Sequence, residues 1–155
     1  MERPTGFDIV QRPRHYNAHP SGVECIEIIE HMTFNLGNAV KYLWRGGLKI
    51  DDPLQDYEKA LWYVRREGER RPFRTFFTSA QIESFRMNML AEQRARRVLA
   101  RPSPWPEPVR QAVSHLIDFH CTGMLLENSR LIQQTENCIA NAIAESACLG
   151  RALQP

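Results

Sequence analysis

Residues 36–48, Leu36-Gly37-Asn38-Ala39-Val40-Lys41-Tyr42-Leu43-Trp44-Arg45-Gly46-Gly47-Leu48, carry two stripes at helical spacing. Leu36, Ala39, Val40, Leu43 and Trp44 recur at offsets of three and four, the signature of a helix with one apolar face. Asn38, Lys41, Tyr42 and Arg45 recur at offsets of three, four and seven, so an amide, an ammonium, a phenol and a guanidinium project from one side. Gly46-Gly47 reads as a pair that loosens the end of this helix.

The neighbours extend the pattern in both directions. Downstream, Asp52-Pro53 reads as an N-cap followed by a first-turn proline, which predicts a helix to about Glu69. Leu54, Tyr57, Leu61 and Val64 form its inward face, while Asp56, Lys59, Tyr63 and Arg66 make a second ionic and aromatic ridge. Upstream, Ser21-Gly22-Val23-Glu24 has the S-x-x-E form of a capping box, and Val23, Ile26, Ile29 and Met32 follow at helical spacing. Residues 1–20 contain Pro4, Pro13 and Pro20 without hydrophobic periodicity and are expected to form an extended arm.

Arg70-Arg71-Pro72 marks a change of character, because no lysine follows Lys59 and arginine becomes the only long cation. We therefore expect a helical unit at 21–72 and a second helical region at 73–155. In the latter, Ser79 is placed to cap a helix reaching about Leu99, with Ile82, Phe85, Met89 and Val98 among its apolar positions. The prolines around Trp105 predict a rigid connector at 102–108 that is not helix interior. Val109, Val113, Leu116 and Ile117 mark another amphipathic helix. From about Gly123 to Leu153 the sequence is helix-compatible almost throughout. A helix of ~30 residues spans about 45 Å, longer than such a domain is wide. Such a helix either breaks or packs against another subunit, and with Leu125, Ile132, Ile139 and Ile143 on one side it points to packing in a homo-oligomer. No strand-like alternation is present, and the fold class expected is all-α.

Composition limits the functional classes. A chain of 155 residues with 43% hydrophobic content can bury a core, and no apolar run approaches the roughly 18–20 residues of a membrane span. The protein is expected to be soluble and cytoplasmic, without a signal peptide. Cys25, Cys121, Cys138 and Cys148 lack the paired spacing of zinc or redox motifs and read as reduced thiols. Glu24, Glu27, Glu30 and His31 lie close together, but no second acidic cluster completes a magnesium site, and His115 and His120 do not share a helical face; no metal is expected. Residues 74–101 hold six arginines against two glutamates, a stretch including Arg94, Arg96 and Arg97 that suits phosphates of nucleic acid or an anionic ligand.

His15-Tyr16-Asn17, Gly22-Val23-Glu24-Cys25-Ile26, Asn38-Ala39-Val40-Lys41-Tyr42-Leu43-Trp44-Arg45 and Asp56-Tyr57-Glu58-Lys59-Ala60-Leu61-Trp62-Tyr63 together resemble the SaV-like phage proteins in order and spacing. The resemblance covers residues 7–72. It implies a phage or prophage origin and, through a podoviral nucleotide kinase in that family, phosphate transfer to deoxynucleoside monophosphates; ATP would accompany that reaction, and the phosphate donor and any need for magnesium stay open.

The residues themselves set the terms of such chemistry. The chain has no G-x-x-x-x-G-K-[ST] loop, so phosphate contact falls to side chains. Lys41, Arg45 and Lys59 are the candidates for it, Tyr42, Tyr63, Trp44 or Trp62 for stacking a base, and Asn38 for its edge. His15 and Tyr16, with His19, precede the first helix where an arm can cover a ligand, and His15 is the candidate acid or base. Asp56 or Glu24 is placed to orient an acceptor hydroxyl, Glu24 having helix capping as its other duty. Two functions remain open at this point: a nucleoside monophosphate kinase without a P-loop, or a non-catalytic oligomer that holds a nucleotide or nucleotide-derived signal, as an anti-defence protein would.

Overall fold

The computed structural model describes residues 19–48, 52–69, 92–100, 104–122 and 128–152. Among these every regular element is a helix, and the fold is all-α. The helices are α1 (Ile26–Ile29), α2 (Phe34–Leu48), α3 (Leu54–Gly68), α4 (92–99), α5 (Glu107–Thr122) and α6 (Asn128–Ala152).

Helices α2 and α3 pair through the apolar stripes expected of them, and their bounds follow the sequence closely. Leu36, Ala39, Val40, Leu43 and Trp44 are buried, as are Tyr57, Ala60 and Val64 opposite. Gly46 and Gly47 do not loosen the end, since α2 runs through both to Leu48. They are sites of close approach: a Cβ on Gly46 would lie 2.7 Å from Tyr57 Cε1, and one on Gly47 2.5 Å from Trp105 Cδ1.

Two predicted helix starts differ from the structure for a local reason. Gly22 has φ of +69°, and its turn, closed by the Gly22 amide on the His19 carbonyl, delays the first helix to the single turn of α1. Instead of a reciprocal capping box, Ser21 Oγ accepts from the Val23 amide and the Glu27 carboxylate accepts from the Glu24 amide. At α3, Asp52 sits at φ 43° and makes no side-chain cap, because Pro53 itself occupies the N-cap in helical geometry.

The boundary expected at residue 72 does not separate two cores. Ala95, Val98, Trp105, Val109, Val113, Leu116, Ile132 and Ile139 join the residues of α2 and α3 in one buried cluster. Trp105 is 5% exposed and packs edge-on against Trp44 at 5.0 Å, so the proline-rich segment contributes a core anchor as well as a connection. Pro108 lies inside the first turn of α5, where a missing amide costs no helical hydrogen bond. Helix α6 packs against α3 and α5 of its own chain. Its stripe of Ile132, Ile139 and Ile143 is covered there; Leu125 lies outside the described residues. Ile82, Phe85 and Met89 lie outside them as well. Among the described residues no helix is long and apolar enough to cross a membrane.

Candidate functional site

The two ridges anticipated on α2 and α3 face one another. Tyr42 stacks on Tyr63 with 5.8 Å between centroids and 16° between planes. Around the Tyr42 ring lie three cations: Lys41 Nζ at 4.7 Å, Arg45 Cζ at 5.4 Å and Lys59 Nζ at 5.6 Å. Each such contact contributes about 0.5–1 kcal/mol at an accessible site. The aromatic row continues outward from Tyr63 to Phe34 at 6.0 Å and Trp62 at 4.9 Å, both edge-on. Phe34 is 73% exposed and Trp62 60% exposed. Rings this open, beside lysines, offer flat apolar faces to a planar ligand while the ammonium groups offer charge to an anion.

The remaining residues are held in place by short-range contacts. Asn38 accepts from Lys41 Nζ at 2.7 Å and donates to the Phe34 carbonyl at 2.8 Å, so it fixes the lysine while tying itself to the helix. Lys59 donates to Gln55 at 3.0 Å, one helical turn back. Thr33 and Asn35 both donate to the Glu67 carboxylate, at 3.0 and 2.9 Å, which clamps the start of α2 to the end of α3 and sets the position of Phe34 against Tyr63.

Asp56 has a different place from the one its ridge implies. Its side chain is fully buried and receives two hydrogen bonds from Arg45, one from Nη2 and one from Nε at 2.9 Å. A two-pronged guanidinium to carboxylate contact of this kind is strong and directional. The carboxylate is enclosed, so an acceptor hydroxyl would reach it only by displacing Arg45. Arg45 correspondingly spends its fork on Asp56 and presents the rest of its charge to Tyr42. Burial and the Asp56 charge together push the neighbouring Tyr57 phenol up to about 12, which keeps it protonated in the core.

Trp44, a stacking candidate, is buried in the core and unavailable to a ligand, whereas Trp62 is open. Glu24 lies in the turn before α1, with its amide on Glu27. Next to it, burial pushes the Cys25 thiol up to about 12, opposed by the charge of Lys41. Arg66 pairs with Glu69 at the exposed end of α3. His15 and Tyr16 lie outside the described residues. Among the described residues no group of three or more His, Cys, Asp or Glu is arranged to hold a metal ion.

Phe34 escaped the sequence reading, and His19, anticipated on an arm that covers a ligand, is instead buried against the core. Phe34 sits one turn before Asn38, and extending the ridge backwards by four would have found it. His19 is 2% exposed, its ring between Trp44 at 5.2 Å and Trp105 at 4.7 Å. The Ser21 amide donates to His19 Nδ1 at 3.2 Å, which makes that nitrogen an acceptor and leaves the proton on Nε2. Burial lowers the pKa of this histidine.

No curated protein and no solved structure matches the chain. Residues 10–65, which hold α1, α2, most of α3 and every described residue of the aromatic and cationic face, are similar to a protein family described as being of unknown function (DUF3310).

Proposed function

We propose that the α2–α3 face binds a nucleotide, with the base against Phe34 and Trp62 and the phosphate at Lys41 and Lys59. The observation that carries this reading is the set of three cations around Tyr42, continuous with a row of rings that ends in solvent. Stacking tolerates any base, and ammonium groups neutralise phosphate without demanding one geometry, so the face suits a class of nucleotides more than a single one. The resemblance of residues 7–72 to SaV-like phage proteins supports the same ligand class and a phage or prophage protein working in the host cytoplasm.

Binding without turnover is the form of the reading that the geometry favours. Phosphoryl transfer needs a group that orients the acceptor, and the Asp56 carboxylate is sealed beneath Arg45. The kinase alternative rests on the family resemblance and requires Glu24, or His15 on the arm, to take that part, with ATP and magnesium supplied. Incubating the protein with each deoxynucleoside monophosphate and ATP, with and without magnesium, separates the two. Retention of unchanged monophosphate is expected after chromatography; a diphosphate product would replace binding with catalysis.

A further inference from the structure

We infer that the cleft between the 21–27 turn and α4 is a second anion site, taking a small molecule through its phosphate groups and independent of the α2–α3 face. The cleft has a volume of about 620 Å³ and is lined by residues 21–23, Glu27, Arg94, Arg97 and Ala100. That volume lies within the range of about 300–1,000 Å³ typical of small-molecule sites.

The three arginines of α4 divide their work. Arg96 pairs with Glu92 on its own helix and with Asp118 on α5 at 3.8 Å, so it ties α4 down. Arg94 and Arg97 are three apart, share the other side of the helix and line the cleft together. Glu27 Oε2 approaches Arg94 Nε at 3.6 Å while Oε1 accepts from the Glu24 amide at 3.0 Å. Glu27 is thus a buttress: it balances one positive charge and steadies one guanidinium. Arg97 has no carboxylate within ion-pair distance among the described residues, and its charge is left for whatever enters.

Guanidinium groups present several N–H donors in a plane matched to the paired oxygens of phosphate and carboxylate alike, and two of them side by side suit the higher charge of a phosphate group. The described lining contains no aromatic ring, in contrast to the α2–α3 face, so recognition rests on the phosphate part of the ligand and not on a base.

The test uses the full chain with inorganic pyrophosphate as the probe, followed by titration calorimetry. Pyrophosphate is expected to bind the wild type, and Arg97→Gln is expected to weaken it by about tenfold or more, the loss typical of a charged hydrogen-bonding partner. Ala100→Glu, at an exposed position on the rim, should weaken it comparably by adding a like charge without touching the core. Because the α2–α3 face is read as holding phosphate as well, the titration is repeated in the Lys41→Gln, Lys59→Gln background, where the pyrophosphate binding that remains is expected to be lost on adding Arg97→Gln. Unchanged affinity in both Arg97→Gln and Ala100→Glu overturns the site, as does loss of binding only in the double lysine variant. An oligothymidylate that binds in an Arg97-dependent way while pyrophosphate does not would reassign α4 to nucleic acid and also overturn it. Because the lysine pair and Arg97 are read separately, failure here leaves the nucleotide reading of α2–α3 standing, and the reverse.

Discussion

On one side of α2, Trp44 meets Trp105 edge-on with the His19 ring tilted against both, and all three are almost completely buried. On another side of the same helix, Tyr42 and Tyr63 stack beneath two exposed rings and beside three cations. Both clusters are aromatic and both join α2 to a neighbour. The enclosed one has the burial that stabilises a fold and no room for a ligand. The open one leaves large apolar surface in water next to positive charge, which adds little to folding and suits recognition. Burial and charge, more than the presence of aromatic residues, separate the structural cluster from the candidate site.

If that division holds, substitutions in the enclosed cluster should change stability most. Trp44→Ala empties a fully buried position and is expected to cost about 3–5 kcal/mol, read as a drop in the urea midpoint. Asp56→Ala stands at the junction of the two regions. It strands Arg45, whose side chain is 24% exposed, and should cost roughly 3 kcal/mol by the same measurement. A smaller loss would mean that Arg45 relaxes into solvent and that the pair is less enclosed than described.

Gly47→Ala sharpens the comparison from the backbone side. Its new methyl would press on the Trp105 indole, and a loss of about 1–3 kcal/mol is expected, with the tryptophan near-ultraviolet circular dichroism altered. Acidification gives an effect within the enclosed cluster without mutation. His19 has a folded pKa below its ordinary value of about 6.5, so the stability it supports is complete above that pH and is lost as pH falls towards the lowered value. His120 acts in the same direction, its pKa lowered by burial and then by His31. The urea midpoint should therefore be lower at pH 5.5 than at pH 7.5, and His19→Asn should reduce the difference. An unchanged midpoint would place His19 in water.

The stripes of α2 and α3 were legible because their period is local: Leu36 to Trp44 and Leu54 to Val64 declare their faces within one helix. The cations and rings of the candidate site were legible for the same reason. Asp56 was misplaced because it lies beside Tyr57 on the edge of the inward face, and its partner Arg45 is on another helix, eleven residues away in sequence. Trp105 and His19 carry no periodic signal at all. One stands among prolines and the other in a turn, and only the assembled core reveals that they fill the space beside Trp44. The apolar stripe of α6 was visible, but a stripe does not say which surface covers it, and here α3 and α5 do.

Titration calorimetry of deoxynucleoside monophosphates against the wild type and the Lys41→Gln, Lys59→Gln double variant tests the α2–α3 assignment most directly. The account predicts saturable binding to the wild type and a loss of about tenfold or more in affinity for the variant, with the urea midpoint unchanged. Equal affinity in the two proteins, or no binding of any deoxynucleoside monophosphate to the wild type, would contradict it.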